Sequence, residues 1–209
     1  MRPRFPKSIR IVAYCFASLI FVLVAIRVSA GTADESATAT VRQLLASIGK
    51  LRTTTDAAQK KMLIGSMDNS LAIEKLSRQA LGAQWSKLAA PDRAHFVALV
   101  KELLEKIAYP NAAQFFSDFS IKILGEDASG DRRTVRTTVT RPEGGAVSIN
   151  YILERINRRW TIVDVILDRQ SLAASMTTQI QATLKSSSYQ DLVKQLESRL
   201  MQAGYPPSH

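Results

Sequence analysis

Catalytic side chains are scarce in this sequence. Of 209 residues, one is cysteine and two are histidine. The cysteine, Cys15, lies in an N-terminal apolar run, so the remainder has no disulfide, no thiolate chemistry and no cysteine metal site. One histidine, His209, is the last residue. The other, His95, is one step from Phe96 beside an apolar helical stripe, where a lone histidine reads as a boundary residue. The chain has no Gly-x-Ser-x-Gly elbow, no phosphate loop and no His-Glu-x-x-His pair. Asp127 and Asp131 flank a turn without the ligand density of a calcium loop. These gaps argue against an enzyme, a cofactor and a metal centre.

A long apolar run occurs only at the N-terminus. Arg2, Arg4, Lys7 and Arg10 precede the stretch from Ile11 to Ile26, and Val28 and Ala30 offer a small-residue cleavage site before Gly31. Basic head, apolar centre and small-residue site are the parts of a secretory signal peptide. At ~1.5 Å per residue the run reaches about 24 Å as a helix, short of the roughly 30 Å hydrocarbon core. An uncleaved anchor is the competing reading. The expected organisation is a signal peptide over 1–30, a disordered lead-in over 31–40, a single α+β domain over 41–204 and a C-terminal tail over 205–209. Export of this kind predicts a periplasmic location. The first thirty residues carry five basic side chains and no acids, which leaves +5 of the net +10 for the rest. That modest, dispersed excess suits anionic lipid headgroups or an acidic partner surface rather than nucleic acid.

Apolar periodicity supplies the elements. Val41, Leu44, Leu45, Ile48 and Leu51 fall on one helix face. Ser70 is placed to cap the next helix, which Gly82 ends. Pro91 and Asp92 start a long helix with Phe96, Leu99, Val100, Leu103, Leu104 and Ile107 on its apolar side, and Pro110 is expected to end it. The period then changes to two. Phe119 to Leu124, then Val135, Thr137 and Val139, then Val147 to Leu153, then Trp160 to Leu167 read as four strands joined by short turns. Leu172, Met176, Ile180 and Leu184 mark another helix, and Ser188 with Asp191 forms a capping box for the last. The fold class is α+β: an antiparallel curved sheet of four strands, or slightly more, packed by several helices.

Two features bear on function. Asp164 lies between Val163 and Val165 in the fourth strand. It reads as a partner for a neighbouring arginine or a cap on a backbone group; the alternative is a general base in a small cone-like, NTF2-like enzyme. Apolar side chains are also in unusual supply around a small sheet, with Tyr109, Phe115, Phe116 and Phe119 close together. They fill a solid core, or helices stand off the sheet and leave a cavity for an apolar ligand.

Two blocks resemble the MlaC family, also called the toluene-tolerance auxiliary family. In the first, Leu81, Gly82, Trp85, Phe96, Leu103, Leu104 and Tyr109 match a Leu-Gly-x-x-Trp, a Phe-bearing helix, Leu-Leu and Tyr. In the second, Trp160, Asp164 and Val165 match an aromatic-x-x-x-Asp-Val strand, Ser171 and Leu172 a Ser-Leu pair, and Gln179 a later Gln. Ser188, Tyr189, Asp191 and Leu192 complete it as a Ser-Tyr-x-Asp-Leu cap. The resemblance runs from about Val41 to Leu200. It implies a periplasmic, non-catalytic carrier that holds phospholipid chains between sheet and helices. The carrier passes lipid between an outer-membrane lipoprotein and porin complex and an inner-membrane ABC transporter. The walls it implies here are Phe96, Val100, Leu103 and Leu104 from the long helix, Tyr151 and Val165 from the sheet, and Leu172 and Met176 beyond it. The chain departs from the family pattern at Arg169 and Gln170, where Gly usually precedes Ser-Leu, and at Met176 and Thr177, where a Tyr-Arg pair is usual. Both departures lie near the expected pocket mouth, and the resemblance extends to relatives associated with hopanoid metabolism, which implies a hopanoid or other polycyclic lipid as an alternative cargo; a ligand-free adaptor for a transporter is a further reading.

Overall fold

The first helix, α1 (Ala37–Leu51), begins where Ser36 caps it, its side chain accepting the N–H of Ala39 at 3.1 Å. The structure is a computed structural model that describes residues 36–205. The expected signal peptide with Cys15, the first half of the expected lead-in, and the tail from 206 with His209 lie outside the described residues. Residues 37–40 are helical, which corrects their assignment to a disordered lead-in. The reason is local: Thr40 and Ala37 are buried with Val41, so the apolar stripe starts one turn earlier than periodicity indicates.

Helices α2 (Ala57–Ser70), α3 (Ile73–Leu81) and α4 (Ala83–Lys87) follow. Ser70 does not cap α3. It is the last residue of α2, and its hydroxyl donates to the carbonyl of Ser66 at 2.9 Å. Gly82 does stop α3, with φ +52° and ψ −127°. α5 (Ala90–Leu103) carries Pro91 in its first turn, as expected.

Pro110 does not end that helix. α5 runs into a π-helical turn, Leu104–Ala108, and then into α6 (Tyr109–Phe115), where Pro110 sits in the first turn. The Tyr109 N–H donates to Leu104 O, a bond one residue wider than an α turn. Proline lacks an N–H and crowds the carbonyl four residues back; the widened turn absorbs both.

The sheet is a meander in the order β1–β5: β1 (Ser120–Ser129), β2 (Arg132–Thr140), β3 (Ala146–Ile156), β4 (Arg159–Leu167) and β5 (Gln170–Ser171). All neighbours are antiparallel. β1 is longer than expected, because a bulge at Leu124 lets Gly125 rejoin the ladder opposite Arg136 and the strand continues to Ser129. A second bulge, at Val163, shifts the β3–β4 register so that Ile152 faces Asp164. Bulges bend strands and increase twist, so these two help curve the sheet. The free edge of β4 is covered by β5 and by Ala72, whose N–H donates to Ile162 O at 2.9 Å.

Apolar side chains form two clusters. In the first, Val135, Val139, Ile149, Tyr151, Leu153 and Ile162 from the sheet meet Val41, Leu44 and Ile48 of α1, Met67 of α2 and Tyr109 of α6. The second joins α3 and α5 to α7 (Leu172–Ser186) and α8 (Tyr189–Gln202) through Leu81, Phe96, Val100, Ile180, Leu192 and Leu196. Leu71 and Leu104, both partly buried, pack against each cluster.

Candidate functional site

The apolar stripe of α5 continues into the π turn. Phe96 and Leu99 are buried, but Leu103, Leu104 and Ile107 are only half-buried, packing against the helical cluster on one side and lining a groove on the other. They face α7 and α8 across a groove of about 430 Å³, within the ~300–1,000 Å³ typical of small-molecule sites. Ten of its fifteen lining residues are apolar. Leu172, in the first turn of α7, is 48% exposed and lines the groove.

Five of the eight residues expected from the sequence line this groove: Val100, Leu103, Leu104, Leu172 and Met176. The other three do not. Phe96 is fully buried in the helical cluster, its ring 6.3 Å from that of Tyr189. Tyr151 and Val165 are cross-strand neighbours in the sheet cluster. Leu104 connects the two settings, since it lines the groove and packs against both clusters. Ile107, Ile180, Leu192, Leu196, Gln179, Gln195 and Arg199 also line the groove and were not anticipated. The four-residue spacing of Ile180 with Met176, and of Leu196 with Leu192, marks a helix face but not what that face meets.

A larger depression, about 920 Å³, runs along α3 and the end of β3. It holds none of the eight residues and carries Glu74, Lys75 and Arg78 on its walls, with Lys75 ion-paired to Glu154. One of the fifteen residues lining the smaller groove is charged, against three of ten in the larger depression, which makes the smaller groove the better site for a greasy ligand.

The start of α7 is fixed to the sheet by Asp164. Its carboxylate accepts the Ser171 hydroxyl at 2.6 Å, the Ala173 N–H at 3.0 Å and the Val165 N–H at 2.8 Å. Ser171 in turn accepts the Ala174 N–H at 2.9 Å as the helix cap. Asp164 therefore caps backbone groups, the structural role read for it, and its acceptors are engaged by the helix it holds. α7 is tied to α3 through Gln181, whose amide donates to Ala80 O at 2.7 Å.

Beside the π turn, α2 supplies Asp68. It accepts the Tyr109 hydroxyl at 2.9 Å and lies 3.3 Å from Lys101, which is 3.6 Å from Glu105. Burial, then the Asp68 carboxylate, push the Tyr109 hydroxyl far above its ordinary value and keep it a donor. Burial, reinforced by Asp68, raises Glu105, with Lys101 opposing. This cluster locks α2 to the π turn and does not reach the groove lining. His95 is half-exposed, 3.9 Å from Glu197 of α8, outside the groove. Among the described residues no group of three or more His, Cys, Asp or Glu is placed to hold a metal ion, and no helix is long and apolar enough to cross a membrane.

Comparison with known proteins gives one family and one fold. A family model described as MlaC protein matches residues 36–198. A solved structure from Ralstonia solanacearum, a phospholipid-binding protein in complex with a phospholipid, is similar in fold. Its TM-score is 0.65 at 20% identity, over 80% of this chain and 96% of that one. No curated protein matches the chain at the threshold of significance.

Proposed function

We propose, since the chain belongs to the MlaC family, that it is a periplasmic carrier that binds phospholipid acyl chains in the groove between α5, α7 and α8. It would shuttle lipid between an inner-membrane ABC transporter and an outer-membrane lipoprotein and porin complex. The observation that carries this reading is the groove itself: an open space of about 430 Å³, mostly apolar, with half-buried leucines left facing it. The phospholipid held by the Ralstonia protein of similar fold supports the same reading. So does the signal-like N-terminus, which suits export.

Burial of acyl chains supplies affinity at ~0.8 kcal/mol per CH₂, less the cost of ordering chain and side chains. Val100, Leu103, Leu104, Leu172 and Met176 would make the first contacts. Phe96, Tyr151 and Val165 would be reached only if the two clusters part at Leu104. Incubation with phospholipid vesicles, followed by separation of protein from vesicles and lipid extraction, tests the reading. Stoichiometric lipid in the protein fraction is expected; a protein fraction free of lipid contradicts it.

A further inference from the structure

The groove is apolar on one side and polar on the other, and its polar side is uneven in charge. Along α7, Ser175, Gln179 and Thr183 form a stripe at four-residue spacing; on α8, Gln195 and Arg199 do the same. The Ser175 hydroxyl bonds to Ser171 O at 2.8 Å and that of Thr183 to Gln179 O at 3.1 Å, so both are spent on their own helix. The side chains of Gln179, Gln195 and Arg199 make no hydrogen bond or ion pair among the described residues. Arg199 is the sole charged residue among those described that line the groove.

The neighbouring carboxylates are committed elsewhere. Glu197 turns to His95 at 3.9 Å. Asp191 is bound to the Ser188 hydroxyl at 2.7 Å in the capping box. Glu105 lies 3.6 Å from Lys101. None of them lines the groove.

We propose that this rim selects lipids whose headgroup is net anionic, with Arg199 holding the phosphodiester and Gln179 and Gln195 donating to its remaining oxygens. The inference rests on the carrier reading and names its cargo class. Guanidinium is a forked donor matched to phosphate oxygens, and the two carboxamides can donate to oxygens or accept from hydroxyls. A zwitterionic headgroup also offers a phosphate, but its ammonium finds no carboxylate in the groove and approaches Arg199 as a like charge. A glycerol headgroup brings hydroxyls that the carboxamides can meet. Selection is therefore for net charge, not for phosphate alone.

The experiment offers the full secreted domain vesicles of equal phosphatidylglycerol and phosphatidylethanolamine, matched in acyl chains, and measures both lipids in the recovered protein. Wild type is expected to be enriched in phosphatidylglycerol by roughly fivefold, the scale of a charge-assisted contact partly open to water. Arg199→Gln should lose the enrichment, read as the ratio of the two lipids in the recovered protein, and Arg199→Lys should keep part of it. Free sn-glycerol 3-phosphate should not compete, which separates a lipid headgroup from a soluble phosphate as the ligand. Circular dichroism of each variant checks that the exposed substitution leaves the fold intact. Equal uptake of the two lipids by wild type, or enrichment that survives in Arg199→Gln, overturns the inference and leaves the carrier reading standing. Absence of any lipid in wild type overturns both.

Discussion

The carboxylate of Asp164 in β4 accepts the backbone N–H of Ala173 in the first turn of α7 at 3.0 Å. With the Ser171 hydroxyl on its other oxygen at 2.6 Å, this one side chain sets the angle at which α7 leaves the sheet. Leu172 lies between these two contacts and Met176 one turn beyond, so the groove wall is positioned by a strand residue that does not touch the groove.

Asp164→Ala should therefore destabilise the protein by about 1–3 kcal/mol, because buried donors lose their acceptor. Asp164→Asn keeps one carbonyl oxygen and should cost less. Urea unfolding with an unchanged slope and a lower midpoint for both, in that order, checks the prediction. Asp164→Asn should also retain lipid.

Gly82 holds φ +52° and ψ −127°, and a β-carbon there would lie 3.1 Å from Gln181 Nε2. Gly82→Ala should cost about 1–3 kcal/mol from backbone strain and loosen α3 from α7, since Gln181, which donates to Ala80 O, must shift to admit the β-carbon. Thermal unfolding measures the loss, and faster exchange of the amides of α7 reports the loosening.

Met176 is half-buried in the groove wall. Met176→Trp should fill part of the groove, lowering the lipid recovered after vesicle incubation severalfold while leaving circular dichroism unchanged. A variant that loads like wild type would mean that the chains enter elsewhere.

Glu154 accepts Lys75 and Arg132, at 2.8 Å for the Arg132 Nε, and the hydrogen bond from Lys75 first, then Arg132, holds its carboxyl below the ordinary value of 4.5. Its contribution to stability is thus complete above the unfolded-state value and is lost as pH falls through the lower folded-state value. Glu154→Gln should remove that part of the acid-side decline, so stability measured from pH 5 downward should fall less steeply in the variant than in wild type.

The elements were legible where one local signal decides them. The stripe from Phe96, the alternation of Val135, Thr137 and Val139, and the Ser188–Asp191 capping box all appear where their spacing puts them. Elements decided by two signals at once were not. Pro110 reads as a stop, but a π turn upstream lets the chain continue. Glu126 to Asp131 read as a turn, but a bulge at Leu124 carries β1 on to Ser129.

The groove was half legible for a related reason. A helical stripe tells which residues face inward but not what meets them. Phe96 and Val100 share a stripe; Tyr189, from far along the chain, seals the first, while the second opens on the groove. Arg199 carried no signal, because its partnerless state depends on where the carboxylates of α8 and of the π turn are spent.

The most direct test of the central claim is native mass spectrometry of the protein purified without detergent. The carrier reading predicts a population heavier by the mass of a phospholipid, released as intact lipid on activation. A single lipid-free species that also takes up none from vesicles would contradict it, and a bound mass matching a polycyclic lipid would replace phospholipid as the cargo.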